Sequence, residues 1–161
     1  MDDNRDTQTP ARPNGTLVLP DQVLPPNLFV LPVNSTVIYP TLMAPLSVNV
    51  PRFVATVEES IHRQRLIGLM LSRGNEIGPE TGPEDLYAVG VVVKIVKRLK
   101  MPDGSVNLLV NGIKRFRAGE VLSRKPHIVV KADYISDVVE KSNEMDALTR
   151  TVVSHVKKLS E

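Results

Sequence analysis

Apolar residues fall at every second position through much of the middle of this chain, and at every third or fourth in two places. Val89, Val91, Val93 and Ile95 share one face of an extended segment, with Lys94, Arg98 and Lys100 assigned to the other. Pro102-Asp103-Gly104 then makes a turn, and Val106, Leu108 and Val110 resume the alternation, which predicts a long β-hairpin. "IKRFRAGEVL" and "HIVVKADYIS" read as two more strands, the second with Ile128, Val130, Ala132 and Tyr134 on one side. Upstream, "LFVLPV" (28–33) is a strand in which Pro32, lacking a ladder donor, marks an edge or a strand end. "LIGLMLS" (66–72) is a short buried strand. The period lengthens at Phe53, Val57 and Ile61, which predicts a helix of roughly four turns with Asn49 as N-cap and Pro51 in its first turn. Arg63 and Arg65 lie near its end, where the helix dipole favours cations. It lengthens again from about Asn143, where Met145, Leu148, Val152, Val156 and Leu159 form an apolar helical stripe.

Three stretches follow neither period. Residues 1–27 are polar or broken by Pro10, Pro13, Pro20, Pro25 and Pro26, too little apolar surface to offset ordering entropy, so a mobile tail is expected. Within it, Leu17, Val18 and Leu19 are the only short apolar run. "RGNEIGPETGPED" (73–85) reads as an exposed loop. In "LPVNSTVIYPTLMAPLSV" (31–48), Pro32, Pro40 and Pro45 hold apolar segments extended while denying them ordinary central-strand pairing.

Composition sharpens this picture. Hydrophobic residues make up 42% of the 161 but aromatics only 4%, so the core must be built from Val, Ile and Leu, which suits strands better than bundled helices. The net charge of +2 is the difference between 20 basic and 18 acidic residues, a weak argument for a polyanion partner. The chain has no cysteine, which excludes disulfides, thiolate catalysis and cysteine zinc sites. An acidic opening without an apolar run argues against a signal peptide, and no stretch approaches the ~20 residues of a membrane helix. A soluble, cytoplasmic chain without membrane partners is expected.

Candidate chemistry is sparse. There is no G-x-x-x-x-G-K-[ST] or G-x-S-x-G stretch, and His62, His127 and His155 lack metal-ligand spacing. Ser105 is accounted for by the hairpin turn, and Glu58 and Glu59 point in different directions on a helix. Lys94, Lys97, Arg98, Lys100, Lys114, Arg115 and Arg117 could line one hairpin face, a solvated surface or a weak nucleic-acid contact. No catalytic, cofactor or metal-ligating residue is assigned.

Taken in order, "LPVNSTVIYPTLMAPLSVNVPRFVATVEESIHRQRLIGLMLSR", "DLYAVGVVVKIVKRLKMPDGSVNLLVNGIKRFR" and a final strand resemble the N-terminal domain of Lon, the ATP-dependent protease. The resemblance is carried by the "LP" before Val37-Ile38-Tyr39-Pro40, by Pro45-Leu46, and by Leu86-Tyr87-Ala88-Val89-Gly90. Met101-Pro102-Asp103-Gly104 and Val110-Asn111-Gly112-Ile113-Lys114-Arg115 complete it, over residues 28 to about 136. It implies an α+β fold, a β-rich PUA-like pseudo-barrel with one packed helix, followed by a C-terminal helix. The domains would be a tail (1–27), the β-rich domain (28–138) and the start of a helical extension (139–161). It implies binding of unfolded or damaged substrate proteins and self-association, hexameric in the family. ATP, Mg and the Ser-Lys protease centre belong to modules this sequence lacks, so no cofactor and no hydrolysis are expected of this chain. Isolated domains of this type also occur elsewhere, in a ubiquitin-ligase receptor for one, and the helix past the barrel leans toward the protease.

A surface for unfolded clients should be shallow and apolar. Ile38, Tyr39, Leu42, Met43, Pro45 and Leu46, on proline-interrupted backbone, are the candidates, with core packing as the alternative for each. Met43 is deformable and suits varied partners. Two other readings fit the same chain: a scaffold that oligomerises through the Met145, Leu148, Val152, Val156 and Leu159 stripe, and a nucleic-acid-binding module using the basic strand face.

Overall fold

The computed structural model describes residues 23–136 and 143–159, with the side chains of Asn143, Met145 and Leu159 left out. Its elements are β1 (Asn27–Val33), β2 (Met43–Val48), α1 (Pro51–Arg63), β3 (Leu66–Ser72), β4 (Leu86–Lys100), β5 (Val106–Ser123), β6 (Ile128–Tyr134) and α2 (Asn143–Leu159). β5 pairs with β4 along one edge and with β2 and then β6 along the other, while β6 also pairs with β1. The strands β5-β4-β3-β1-β6 therefore close on themselves as a barrel, and β2 is laid outside as an added edge. Closure removes the exposed edges that a Val-rich open sheet would present. The β-rich barrel with a packed helix and a C-terminal helix is the expected fold.

The two faces of this sheet build two layers of core. Residues directly opposite in register share a face, which places Leu28, Val30, Met70, Val92, Phe116 and Val130 in the lumen. A Cβ at Gly68 would meet the Phe116 ring at 2.7 Å, so the ring lies over a glycine. The opposite face carries Leu31, Ile67, Val93, Ile95, Leu108 and Val110, and α1 packs there against β1 and β3 through Phe53 and Val57. Val92 and Val93 are consecutive and both fully buried because both faces of β4 are covered at that point.

Several local expectations change. β5 is one 18-residue strand, so "IKRFRAGEVL" continues the hairpin arm rather than forming a separate strand. The register explains why the pattern broke there. Val92 faces Lys114 but Val93 faces Gly112, leaving Ile113 as an extra residue; Ile95 faces Val110 but Lys97 faces Leu109, leaving Val96 extra. Each bulge reverses which residues point to a given side. Val89, Val91, Val93 and Ile95 do share a face, and Lys94 is on the other, but Val96 turns Arg98 and Lys100 back to the side of Ile95. There Glu58 of α1 receives Arg98 Nη1 and, at 3.2 Å, Lys100 Nζ.

Asn49 is not the helix cap. Val50 is, with no side-chain cap bond; its carbonyl accepts the N–H groups of Phe53 and Val54 at 2.9 Å, and Pro51 at the next position needs no partner. Arg65 lies beyond the helix, at φ 58°. The 73–85 segment is less open than expected: Thr81 and Gly82 are buried and Pro83–Asp85 form a 3-10 turn. Arg52 clasps it, donating to the carbonyls of Pro79 (2.7 Å), Thr81 (3.1 Å), Pro126 (3.0 Å) and Arg124. The expected tail also ends earlier than residue 27. Leu24 packs against the core, and the Pro25 and Pro26 carbonyls accept the Tyr134 hydroxyl (2.6 Å) and the Ala132 N–H (2.8 Å). Leu17, Val18, Leu19 and the boundary at 138–139 lie outside the described residues.

Candidate functional site

The proline-interrupted segment crosses the barrel at Gly112. Thr41 N–H donates to the Gly112 carbonyl and Gly112 N–H to the Leu42 carbonyl, both at 2.8 Å, so two residues oppose one and a bulge opens β2. A Cβ on residue 112 would sit 2.2 Å from the Tyr39 carbonyl oxygen, so only glycine lets the segment lie this close. From the Leu42–Gly112 bond the ladder continues through alternate residues, Ala44, Leu46 and Val48, whose main chains face β5. Met43, Pro45 and Ser47 face the outer edge. Pro45, opposite Leu109, thus removes a donor that β5 does not use, which is why proline is tolerated inside this strand.

This geometry divides the six candidate residues. Ile38 is 4% exposed and belongs to the core, which corrects its assignment to the surface; the 36–39 segment turns it down onto the sheet face carrying Leu69 and Leu71. Leu46 is half-buried and packs against the core, as its inward position in β2 dictates. Tyr39, Leu42 and Met43 are 61%, 54% and 55% exposed, and Pro45 is exposed beside them. Proline interruption thus produced an apolar outer surface on a fixed backbone.

A second exposed apolar group was not foreseen. The sheet face covered by α1 continues through Leu69, Leu71 and Val91 to Val89 and Tyr87, past the reach of the helix. The 36–39 segment covers Leu69, and beyond it Val37, Tyr87 and Val89 are 60%, 49% and 40% exposed around a groove of about 210 Å³. Arg115 lines this groove, and Arg73 sits over the Tyr87 ring at 5.3 Å while donating to the Leu86 carbonyl. A larger cleft, about 530 Å³, lies between residues 31–36, β2 and the start of α1; its rim includes Asn34, Ser47, Asn49 and Asn75.

The basic residues do not form one stripe. Arg98 and Lys100 are bound to Glu58, Lys114 shares the side of Val92, and Arg115 and Arg117 stand opposite Val91 and Val89. Glu58 is therefore an ion-pair acceptor rather than a solvated carboxylate, and Glu59 pairs with Arg63 at 2.9 Å. His127 accepts or donates at Nδ1 with Thr56 Oγ1 (2.9 Å) and meets the Phe29 ring edge-on, a packing role. Ser105 is held in the hairpin turn: its hydroxyl and N–H both donate to Asp103, at 2.6 and 2.9 Å, and hold that carboxyl below the usual range. The α2 stripe is exposed at Leu148, Val152 and Val156, with Val153 beside it. No described helix is long and apolar enough to cross a membrane.

Comparison with known proteins bears on this surface. Residues 27–161 match the family described as the ATP-dependent protease La (LON) substrate-binding domain. The chain is 34% identical over 142 residues to the Lon protease of Leptospira interrogans, covering 88% of this chain and 17% of that protein. It is 38% identical over 146 residues to the Lon protease of Geobacter metallireducens, covering 89% and 17%. Among solved structures, the Lon N-terminal domain protein from Xanthomonas campestris superposes with a TM-score of 0.58 at 21% identity, over 83% of this chain and 74% of that one. The N-terminal domain of the Mycobacterium avium complex Lon protease gives 0.53 at 17% identity, over 83% and 69%. These structural likenesses concern the fold. The chain spans 17% of the length of the curated relatives it matches.

Proposed function

Because the chain belongs to the Lon substrate-binding domain family, we propose that it captures exposed apolar segments of unfolded proteins for an ATP-dependent serine protease. The clients would be misfolded, damaged and short-lived regulatory proteins. Hydrolysis of ATP and of peptide bonds is assigned to modules beyond this chain, and the role given to its own side chains is binding. The observation that carries the reading is the exposure of Tyr39, Leu42, Met43 and Pro45 together, on a backbone pinned at Gly112. Apolar surface covered by a client gains roughly 25 cal/mol per Å², so one contact is weak and several must act together or be repeated across an assembly.

Met43→Asp tests this. Binding of an unfolded test protein to the full 161-residue chain should weaken by about tenfold, the loss of one well-covered apolar side chain. The melting temperature should stay nearly constant, since exposed positions change stability by about 0.5 kcal/mol or less. Unchanged binding in a variant that still folds would sink the reading. The exposed α2 stripe favours a second role in self-association, which can coexist with capture.

A further inference from the structure

We propose that the edge of β4 between Val96 and Lys100 takes up an extended acidic segment of a partner protein as an added strand. The proposal is independent of the apolar surface around Met43, because main-chain groups and charge do the recognising. Its first support is the hydrogen bonding of the hairpin arm. β3 leaves β4 at the bond from the Ile95 N–H to the Arg65 carbonyl, 2.8 Å, and residues 96–100 beyond it are all exposed. Met101 N–H donates to the Ser105 carbonyl at 2.9 Å, so in this register Leu99 and Lys97 bond to Asn107 and Leu109 of β5. The main chains of Arg98 and Lys100 therefore face away from β5. They present two donors and two acceptors on the side that β3 has left.

Its second support is the contrast with two other strand edges. An open edge invites pairing with another chain, and proline is one way to prevent it. On β2 the outward-facing Pro45 removes a donor. On β1 the bond from the Ala132 N–H to the Pro26 carbonyl fixes Leu28 and Val30 as the residues bonded to β6. Pro32 is next in that series and faces the open side past the start of β6. Residues 96–100 contain no proline, so a ladder can run from Arg98 through Lys100. Its third support is charge. Lys97, Arg98 and Lys100 fall within four residues; Glu58 answers the last two, while Lys97 lies on the other face, opposite Leu109. Like charges bar two copies of this edge from pairing with each other. Carboxylates spaced along an incoming strand would instead sit beside the cations as cross-strand pairs.

The test uses the full chain and labelled peptides of four Thr-Glu, Thr-Gln or Thr-Lys repeats, which carry no large apolar side chain. Fluorescence anisotropy should give the order Glu, then Gln, then Lys. The Glu peptide should exceed the Lys peptide by about tenfold at low salt for one or two partly exposed ion pairs, shrinking as salt rises. Amide hydrogen exchange read by NMR should slow at Arg98 and Lys100 by about tenfold when roughly nine-tenths of the chain is bound, following the free fraction. Lys100→Pro should weaken the Glu peptide more than Lys100→Gln, which removes the same charge but keeps the N–H. Pro45 shows that an outward-facing position in this sheet accepts proline, and thermal melting verifies the fold of both variants. If the proline variant does not fold, the exchange result on the parent chain decides. Equal binding of the three peptides, or binding of none, overturns the proposal. So does binding of the Glu peptide with unchanged exchange at Arg98 and Lys100, which would mark adsorption by charge alone.

Discussion

Thr41 holds φ at 71°, in the left-handed region where a β-branched side chain is strained. What holds it there is the pair of bonds to Gly112, which require Thr41 and Leu42 to face one residue together. The strain is local to the turn that presents Tyr39 and Leu42, the centre of the exposed apolar group. Thr41→Gly should therefore raise the urea midpoint, by about 1 kcal/mol of unfolding free energy, because relief of the left-handed conformation outweighs the added freedom of the unfolded chain. A lowered midpoint would show that the threonine side chain makes contacts worth more than its conformation costs. Arg65, at φ 58° just past α1, is the same kind of position; its N–H is satisfied by the Ser60 carbonyl at 2.9 Å.

At the scale of elements, the segment before β1 is fastened by Tyr134 at the end of β6. Burial pushes the Tyr134 hydroxyl up to about 12, and the neutral phenol is the form that donates to the Pro25 carbonyl. In the unfolded chain the group ionises near 10, so below that pH it adds no pH dependence. As pH rises from 10 toward about 12 the unfolded state loses its proton first, and stability falls. Urea unfolding across this range should show a smaller alkaline decline in Tyr134→Phe than in the parent; equal declines would assign the effect to other groups. Much of this element layer is legible in the sequence. Alternation located β1, β4, β5 and β6, a short apolar run located β3, and the helical period located α1 and α2. The bulges at Ile113 and Val96 were not legible, because one inserted apolar residue in a run such as "KIVKR" leaves no compositional mark while it reverses the faces that follow. The proposed binding surface was readable only in part for a related reason. The prolines announced an irregular apolar segment, but burial of Ile38 and exposure of Tyr87 and Val89 depend on where the cover over one sheet face begins and ends. Val89 and Val93 lie on one face of the same strand, yet Val93 is fully buried and Val89 is exposed.

At the scale of the molecule, α2 presents an exposed apolar face among the described residues. Leu148, Val152 and Val156 lie one helical turn apart and none is buried. If this stripe drives self-association, light scattering should report a larger mass for residues 1–161 than for a chain ending at residue 142, beyond the mass removed. Equal subunit counts for the two would remove α2 from the list of assembly surfaces. β2 has a bearing on how long a client would stay under the proposed role. Along its outer edge Met43 and Ser47 each offer a donor and an acceptor, but Pro45 between them offers a carbonyl alone. A segment laid along this edge cannot zip into a continuous ladder, so its hold comes from side chains that disengage one at a time. Such contacts have short residence times, which under the proposed capture role would let each client go, and the interrupted edge does not template sheet growth between copies of itself.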